Sequence, residues 1–472
     1  MSKKKIICIV LAVIVLVGAV LGGLSAYKKI KTQKVIEMVS DAYIYSLPLV
    51  LMDITADKVT NTVERNYTQA PINQFVHVPV LADASAKDIV LPNVDTIYSQ
   101  AFLDLSETAV IVELPKTDRF CIMQLMDAYS NTFGMIECMN FTNDRETYII
   151  TGPNYNGEIP AGMTQFESPT AMVWILGRTI CADNTTDAPN VWTIQKQMKM
   201  YTMEQYENGT TDIPLTGEYN EEENVVPLEY LISLSLDEYF DRANELMVLN
   251  PPAEADKDYV AKFAAIGVGP GLDFDPALFG DQADNLRLLT LRDLVANCTE
   301  GSEDFLVKNG CWSYYGDPIG DYGTEYDFRA LIALAGFGAN PEDMAIYPKT
   351  DNDSDGNVLD GANSYVIHIA ADQFPEMGEH GFWSVTAYGA DQYLIPNELN
   401  RYCVNSLGNA VYNEDGSLDI YVSTEAPEDE TLLANWLPVC EGAFNLYFRI
   451  YLPQESVFNG EWAMPDVVKV TE

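Results

Sequence analysis

Histidine is scarce in this sequence: His77, His368 and His380 are the only three in 472 residues. Neither H-E-x-x-H nor H-x-H occurs, which excludes a histidine-clustered zinc hydrolase. The eight cysteines form no C-x-x-C pair, so zinc knuckles and thioredoxin-type redox motifs are also excluded. Seven of them are spread from Cys121 to Cys440. That spacing is not a compact disulfide framework, and it leaves any pairing open. There is no G-x-S-x-G elbow, no G-x-x-x-x-G-K-[ST] loop and no G-x-G-x-x-G turn, which removes the well-marked hydrolase and nucleotide-binding classes. Basic residues are few, 27 Lys+Arg against 70 Asp+Glu. Seven of the lysines lie in the first 34 residues, which contain no acid, so the remainder carries 20 basic against 70 acidic side chains. Such a body is repelled by phosphate backbones, and no nucleic-acid partner is expected. Its charge suits solubility, cations, or a salty and acidic exterior.

Against these absences, 47% hydrophobic and 21% charged residues are globular values, sufficient for two or three cores in a chain of this length. The opening "MSKKKIICIVLAVIVLVGAVLGGLSAYKK" has no charge from Ile6 to Leu24. At ~1.5 Å per residue this run comes close to spanning a hydrocarbon core, and it exceeds an ordinary secretory h-region. The first reading is an uncleaved signal anchor, with membrane contact through residues 6–27. The second is a signal peptide cut near Ser25 or Ala26, which would release a secreted protein. Lysines flank both ends and hardly decide orientation. The single anchor and the acidic body favour an extracytoplasmic globular part, at the cell surface or in the periplasm.

Beyond the anchor, "KVIEMVSDAYIYSLPLVLMDIT" places Val35, Met38, Ala42, Ile44 and Tyr45 at near-helical spacing and predicts an amphipathic helix up to Pro48. From about residue 70 the period changes to two. Residues 109–115, 119–128, 145–153 and 170–180 read as strands. Residues 190–300 return to helical spacing, broken by "NPPAEAD" and "GVGPGLDFDP". Strands resume at 364–372, 382–389, 417–424 and 445–453. In the last of these Leu446, Phe448, Ile450 and Leu452 share one face, with Tyr447, Arg449 and Tyr451 on the other.

Three constellations carry candidate chemistry. "LPNVDTIYSQAFLDL" (91–105) packs Asn93, Asp95 and Tyr98 into an apolar frame, and "MQLMDAYS" adds Gln124 and Asp127. Asp95, Tyr98 and Asp127 are the catalytic candidates, with an aspartate as base and Tyr98 as donor, while Asn93 and Gln124 bind ligand. The alternative is that these groups stitch a strand entry by turn chemistry. "HGFWSVTAYGADQYLIPNELNRYC" combines Trp383, Tyr388, Asn397 and Arg401, flat stacking surfaces with planar hydrogen-bonding groups that suit sugars or anions. The alternative there is an aromatic core with Arg401 bonding loop carbonyls. "DNDSDGNVLDGA" sets Asp351, Asp353, Asp355 and Gly356 as in the first half of an EF-hand loop, but Ala362 stands where the bidentate glutamate belongs. A full EF-hand is rejected, and a calcium-stabilised loop or an ordinary acidic turn remains.

Several of these segments are characteristic together. "AYIYSLPLVLMD", "NQFVHVPVLAD", "LPNVDTIYSQAFLDLS", "RFCIMQLMDAYSNTFG" and "VWILGRTI" resemble the family called domain of unknown function 1254. "LDGANSYVIHI", "GFWSVTAYGADQYLIPNELNRY", "DGSLDIYVS", "NWLPVCEGAFNLYFRIYLP" and "WAMPDV" resemble its companion, domain of unknown function 1214. The resemblance spans about residues 40–468. It implies two β-rich domains with helices ahead of the second, in mostly bacterial and commonly exported proteins, and it implies no particular activity. The expected organisation is an anchor or signal segment at 1–34, a β-rich domain at 35–189, a helical insert at 190–305 and a second β-rich domain at 306–472. The fold class is mixed α+β and mainly β, with two antiparallel jelly-roll-like sandwiches. The expected function is that of an envelope protein with a polar and aromatic cleft, a hydrolase or lyase on a carbohydrate-like substrate. The alternative is a non-catalytic binding or scaffold protein.

Overall fold

The computed structural model describes residues 33–87, 91–279, 283–408 and 410–470. The expected membrane segment at residues 6–27 lies outside the described residues.

Helix α1 (Gln33–Thr60) runs through Pro48 rather than stopping at it. Its middle, residues 42–52, is buried on every side rather than along one stripe, and Val39, Ala42, Leu47, Leu49, Val50 and Met52 are fully buried. Among the described residues α1 is the one helix long and apolar enough to cross a membrane, yet 78% of its apolar window is enclosed by the protein. Around it pack Pro227–Ser233, α2 (Leu236–Leu249), α3 (Ala283–Gly301) and α4 (Tyr326–Gly336), all sharing one core with α1. A helix apolar all round needs partners on every face, so the helices of the 190–305 region pack onto α1 and α4 instead of standing apart. Ser235 and Glu238 form a capping box that fixes the start of α2.

The first half contains β1 (Val76–His77), β2 (Thr96–Asp104), β3 (Val110–Pro115), β4 (Cys121–Asp127), β5 (Thr132–Glu137), β6 (Arg145–Thr151), β7 (Thr164–Glu167), β8 (Met172–Ile180) and β9 (Lys199–Thr202). They form two sheets, in the orders β1-β2-β8-β4-β5 and β7-β6-β3-β9. Pairing is antiparallel except between β6 and β7. Ala101, Leu103, Met123, Leu125, Val173 and Ile175 of the first sheet meet Val110, Val112, Leu114 and Ile150 of the second in a common core.

The second half contains β10 (Leu306–Asn309), β11 (Trp312–Tyr315), β12 (Ala345–Ile346), β13 (Lys349–Thr350), β14 (Tyr365–Ile369), β15 (Met377–Gly389), β16 (Cys403–Asn405), β17 (Leu418–Ser423), β18 (Trp436–Pro438), β19 (Phe444–Pro453) and β20 (Val467–Lys469). The third sheet runs β10-β11-β13-β19-β15-β16, with β12 also paired to β19, and the fourth runs β18-β17-β14-β20. Trp383, Val385, Leu446, Phe448 and Ile450 of the third sheet pack on Ile367, Ile369, Leu418, Ile420 and Val422 of the fourth. The fold is thus mixed α+β with several antiparallel sheets.

Strand β19 is buried along its whole length, on both faces. One face serves the core just described. The other, Asn445, Tyr447, Arg449 and Tyr451, is polar or amphipathic and is covered by the first half of the chain. Phe120 and Ile122 from that half share an apolar cluster with Phe382, Tyr451 and Leu452 from the second. All seven cysteines of the described residues are free thiols.

Candidate functional site

Period-2 alternation decides which groups meet at the junction of the two halves. In the third sheet Ser384 is paired with Arg449 and Asn405, Thr386 with Tyr447 and Cys403, and Tyr388 with Asn445. These pairs place one polar face opposite the apolar core face. In the first sheet Tyr98 is paired with Arg178, and Arg178 with Ile122. Its Tyr98–Arg178 face likewise points away from its own core, and the guanidinium lies 5.7 Å from the Tyr98 ring centroid.

The 91–105 stretch threads between these faces. Leu91 (φ +56°) and Gln392 (φ +67°) both hold left-handed backbone, and the Leu91 N–H donates to the Gln392 carbonyl at 2.9 Å. Asn93 accepts from the backbone N–H of Asp95 and Thr96 at 2.7 and 3.2 Å, and its amide donates to the Tyr451 hydroxyl at 2.8 Å. Asp95 is fully enclosed and accepts from the Ser384 hydroxyl at 2.7 Å. Tyr388 donates to the Pro92 carbonyl at 2.7 Å and accepts from Arg449 at 2.5 Å. Arg178 donates to Gln124 and Asn340 at 2.8 Å and to the Gly338 carbonyl at 2.5 Å. Asn340 in turn donates to Tyr347 at 2.8 Å.

Burial dominates the electrostatics. It raises the Asp95 pKa, opposed by Arg449, Ser384, Asn405 and Cys403. It raises Tyr388 to about 12, and it raises Tyr451 and Tyr347 as well. Tyr451 also feels Asp95, Tyr347, Arg449 and Tyr98, while Tyr347 feels Arg178, Tyr98 and Arg449. One compact group therefore holds four tyrosines, two arginines and an aspartate. For Arg449 burial works against the charge, yet Tyr388, Tyr451 and Asp95 outweigh it and raise the pKa. The two shifts point opposite ways, toward a neutral acid at Asp95 and a charged base at Arg449. The guanidinium governs, because it does not deprotonate in proteins, and Asp95 is the carboxylate that answers it. Asp95 Oδ1, Arg449 Nη1, Thr96 Oγ1, Thr386 Oγ1 and Asn445 Oδ1 are all buried without a hydrogen-bond partner. Tyr98 and Tyr347 are half-buried.

Both contributing segments fall in recognised regions. Residues 72–202 match the family described as Protein of unknown function (DUF1254), and residues 344–455 match Protein of unknown function (DUF1214), together just over half of the chain. The chain belongs to this two-domain family. No curated protein matches it. This DUF1254/DUF1214 protein is similar in fold to a crystal structure from Vibrio parahaemolyticus, with 24% identity over 92% of this chain and 100% of that one and a TM-score of 0.67. A crystal structure from Burkholderia cenocepacia aligns over 93% of this chain and 94% of its own, at 13% identity and a TM-score of 0.44. The junction draws on both family regions: Asn93, Asp95, Tyr98, Gln124 and Arg178 from DUF1254, and Tyr347, Ser384, Tyr388, Arg449 and Tyr451 from DUF1214.

Of the residues singled out in the sequence, the structure brings Asn93, Asp95, Tyr98, Gln124 and Tyr388 to this DUF1254/DUF1214 junction. It places the others elsewhere. Asp127 lines a cavity away from the junction, with Oδ1 taking the Tyr129 and Asn131 N–H groups at 2.8 and 2.9 Å. Trp383 is buried between the third and fourth sheets. Asn397 ties its own loop through the Ile395 carbonyl and the Arg401 backbone. Arg401 donates to the carbonyls of Leu433, Ala434 and Trp436 at 3.0–3.1 Å, the loop-bonding role. Asp351 pairs with Lys349 at 3.2 Å, Asp353 accepts from Asp355 and Asn357 in a tight turn, and Asp355 is exposed. Their carboxylates do not converge, and no three His, Cys, Asp or Glu among the described residues form a metal-sized group. Sequence reasoning missed Arg178, Tyr347, Arg449 and Tyr451 as members of the site. An arginine inside the apolar strand "VWILGRTI" was the available signal for the first.

Proposed function

We propose that this chain is a membrane-anchored, extracytoplasmic protein whose DUF1254/DUF1214 junction binds a small, hydroxyl-rich, carbohydrate-like molecule of the cell envelope and acts on it as a hydrolase or lyase. The observation that carries this reading is the convergence at one junction of Asn93, Asp95, Tyr98, Gln124 and Tyr388 with two buried arginines and two further tyrosines. Tyr98, half-buried, is the group that meets ligand and donates or takes a proton. Arg178 and Arg449 stand behind it and supply a fixed positive field, which favours developing negative charge at low reorganisation cost. Asp95 is enclosed, so it acts as the counter-charge to Arg449 rather than as a base in contact with substrate. Orphaned buried donors and acceptors at the same place fit a site built to receive further polar groups. The finer architecture belongs with this reading: the shared cores support taking each sheet pair as a jelly-roll-like sandwich.

A second reading has its own support. Asn93 and Asp95 spend their bonds on local backbone, Tyr451 and Ser384, as a latch between halves would, which favours a non-catalytic binding or scaffold protein. Tyr98→Phe separates the two, because among the described residues the Tyr98 hydroxyl makes no hydrogen bond that the fold would lose. With envelope oligosaccharides as probes, an enzyme loses product release in Tyr98→Phe by at least about a hundredfold at unchanged melting temperature. Equal turnover in variant and wild type sinks the catalytic role. Failure of every saccharide to bind or react leaves the latch reading.

A further inference from the structure

A cavity of about 200 Å³ lies away from the junction, where the turn after β4 meets the loop after α2 and helix α4. This is larger than the ~150 Å³ that encloses a benzene-sized guest. Its wall includes Asp127, Asp256, Glu254 and Arg329, with Pro169 and Pro251 among the rigid surfaces.

Arg329 is the unusual member. It is 1% exposed, and among the described residues it makes a single hydrogen bond, from Nη2 to the Tyr45 carbonyl at 3.3 Å, while its Nε has no partner. The rings of Tyr45, Tyr129 and Tyr326 lie 5.2, 5.4 and 5.3 Å from its guanidinium carbon and hold the cation in place. A buried guanidinium with most of its donors unused is costly unless a polar group reaches it. The carboxylates are better served. Asp256 accepts from the hydroxyls of Tyr45 and Tyr326 at 3.1 and 2.6 Å. Asp127 uses Oδ1 for backbone N–H groups, leaving Oδ2 with the Asn131 amide at 3.2 Å. Glu254 is exposed at the edge, where it accepts from Lys257.

A plain anion would satisfy Arg329 but sit among three carboxylates. A plain cation would suit the carboxylates and leave the guanidinium unused. A molecule carrying a carboxylate and an ammonium group a few bonds apart answers both. We propose that this cavity is a binding site for a small zwitterion of the α-amino acid class, its carboxylate on Arg329 and its ammonium toward Asp127, Asp256 and Glu254. The site is independent of the junction.

The test is titration calorimetry of the full chain in detergent against each protein α-amino acid, with the matching deaminated acid and decarboxylated amine. At least one amino acid is expected to give saturable heat, and both truncated counterparts to bind about tenfold or more weakly. Arg329→Lys should weaken binding by about tenfold through loss of the planar donor fork. Should that variant not fold, Glu254→Gln at the exposed edge should weaken binding with no change in melting temperature. Tyr98→Phe at the junction should leave amino-acid binding unchanged. No saturable heat with any amino acid overturns the proposal. So does equal binding of the bare acid or amine, or undiminished affinity in every folded variant of Arg329 and Glu254.

Discussion

Burial leaves Asp95 with the Ser384 hydroxyl as its close donor and Arg449 as its counter-charge. Breaking one side of a buried pair typically costs about 3–5 kcal/mol, because the other charge is left uncompensated. Asp95→Asn keeps the shape and an acceptor for Ser384, so its cost reports the missing charge opposite Arg449. A loss of that order in denaturant unfolding is expected, and an unchanged midpoint would show that Arg449 needs no counter-ion. His77 gives a pH-dependent case. Burial, with Arg65 adding, lowers its pKa to about 4, while its Nδ1 pairs with the Ser99 hydroxyl at 2.9 Å. The folded protein keeps this ring neutral where the unfolded chain binds a proton, so its contribution is present above about pH 6.5 and is lost as pH falls toward 4. The bound on that loss is about 3 kcal/mol. Stability curves of wild type and His77→Gln should therefore converge over that window, and parallel curves would remove His77 from the acid response. At this scale Asn93, Asp95, Tyr98, Gln124 and Tyr388 were legible because hydrogen-bonding groups stood at apolar strand positions. Arg449 and Tyr451 were visible as one strand face. What covers that face is a long-range contact that spacing along a single chain does not encode.

Among the elements, the strands announced themselves through alternation: 445–453, 417–424 and 170–180 fall within two residues of β19, β17 and β8. Helix α1 was misjudged because proline is a strong local stop signal, and because a helix buried on all sides carries no stripe to mark its partners. Tertiary packing overrode the local preference. What pins α1 laterally is Arg242 of α2, which donates to Asp53 at 2.6 Å and also to Asp57. Burial raises Asp53 to about pKa 6 even with Arg242 opposing it. Arg242→Ala strips the shared counter-charge from two neighbouring carboxylates one helical turn apart. The expected cost is about 1–3 kcal/mol, greater at neutral pH than in acid, where both carboxyls are protonated. Equal cost at both pH values would assign the effect to lost packing of the arginine stem.

For the whole molecule, charge sets the response to solvent. The formal net charge is −43, and exposed pairs such as Lys199 with Asp212 at 3.6 Å are of little worth. Self-repulsion among surface carboxylates therefore outweighs surface ion pairing. Salt screens both, with a Debye length of about 30 Å at 0.01 M falling to about 8 Å at 0.15 M. The repulsive sum runs over many pairs at long separation, so it is screened more than the short contacts are. Buried charges that act on each other, such as Asp95 and Arg449, are barely affected. The melting temperature should accordingly rise by a few degrees between low and physiological ionic strength, with sodium chloride and sodium fluoride acting alike if screening is the cause. A melting temperature that falls with salt would place the balance with the ion pairs, and with it the acidic surface would cease to be a burden the fold carries for solubility.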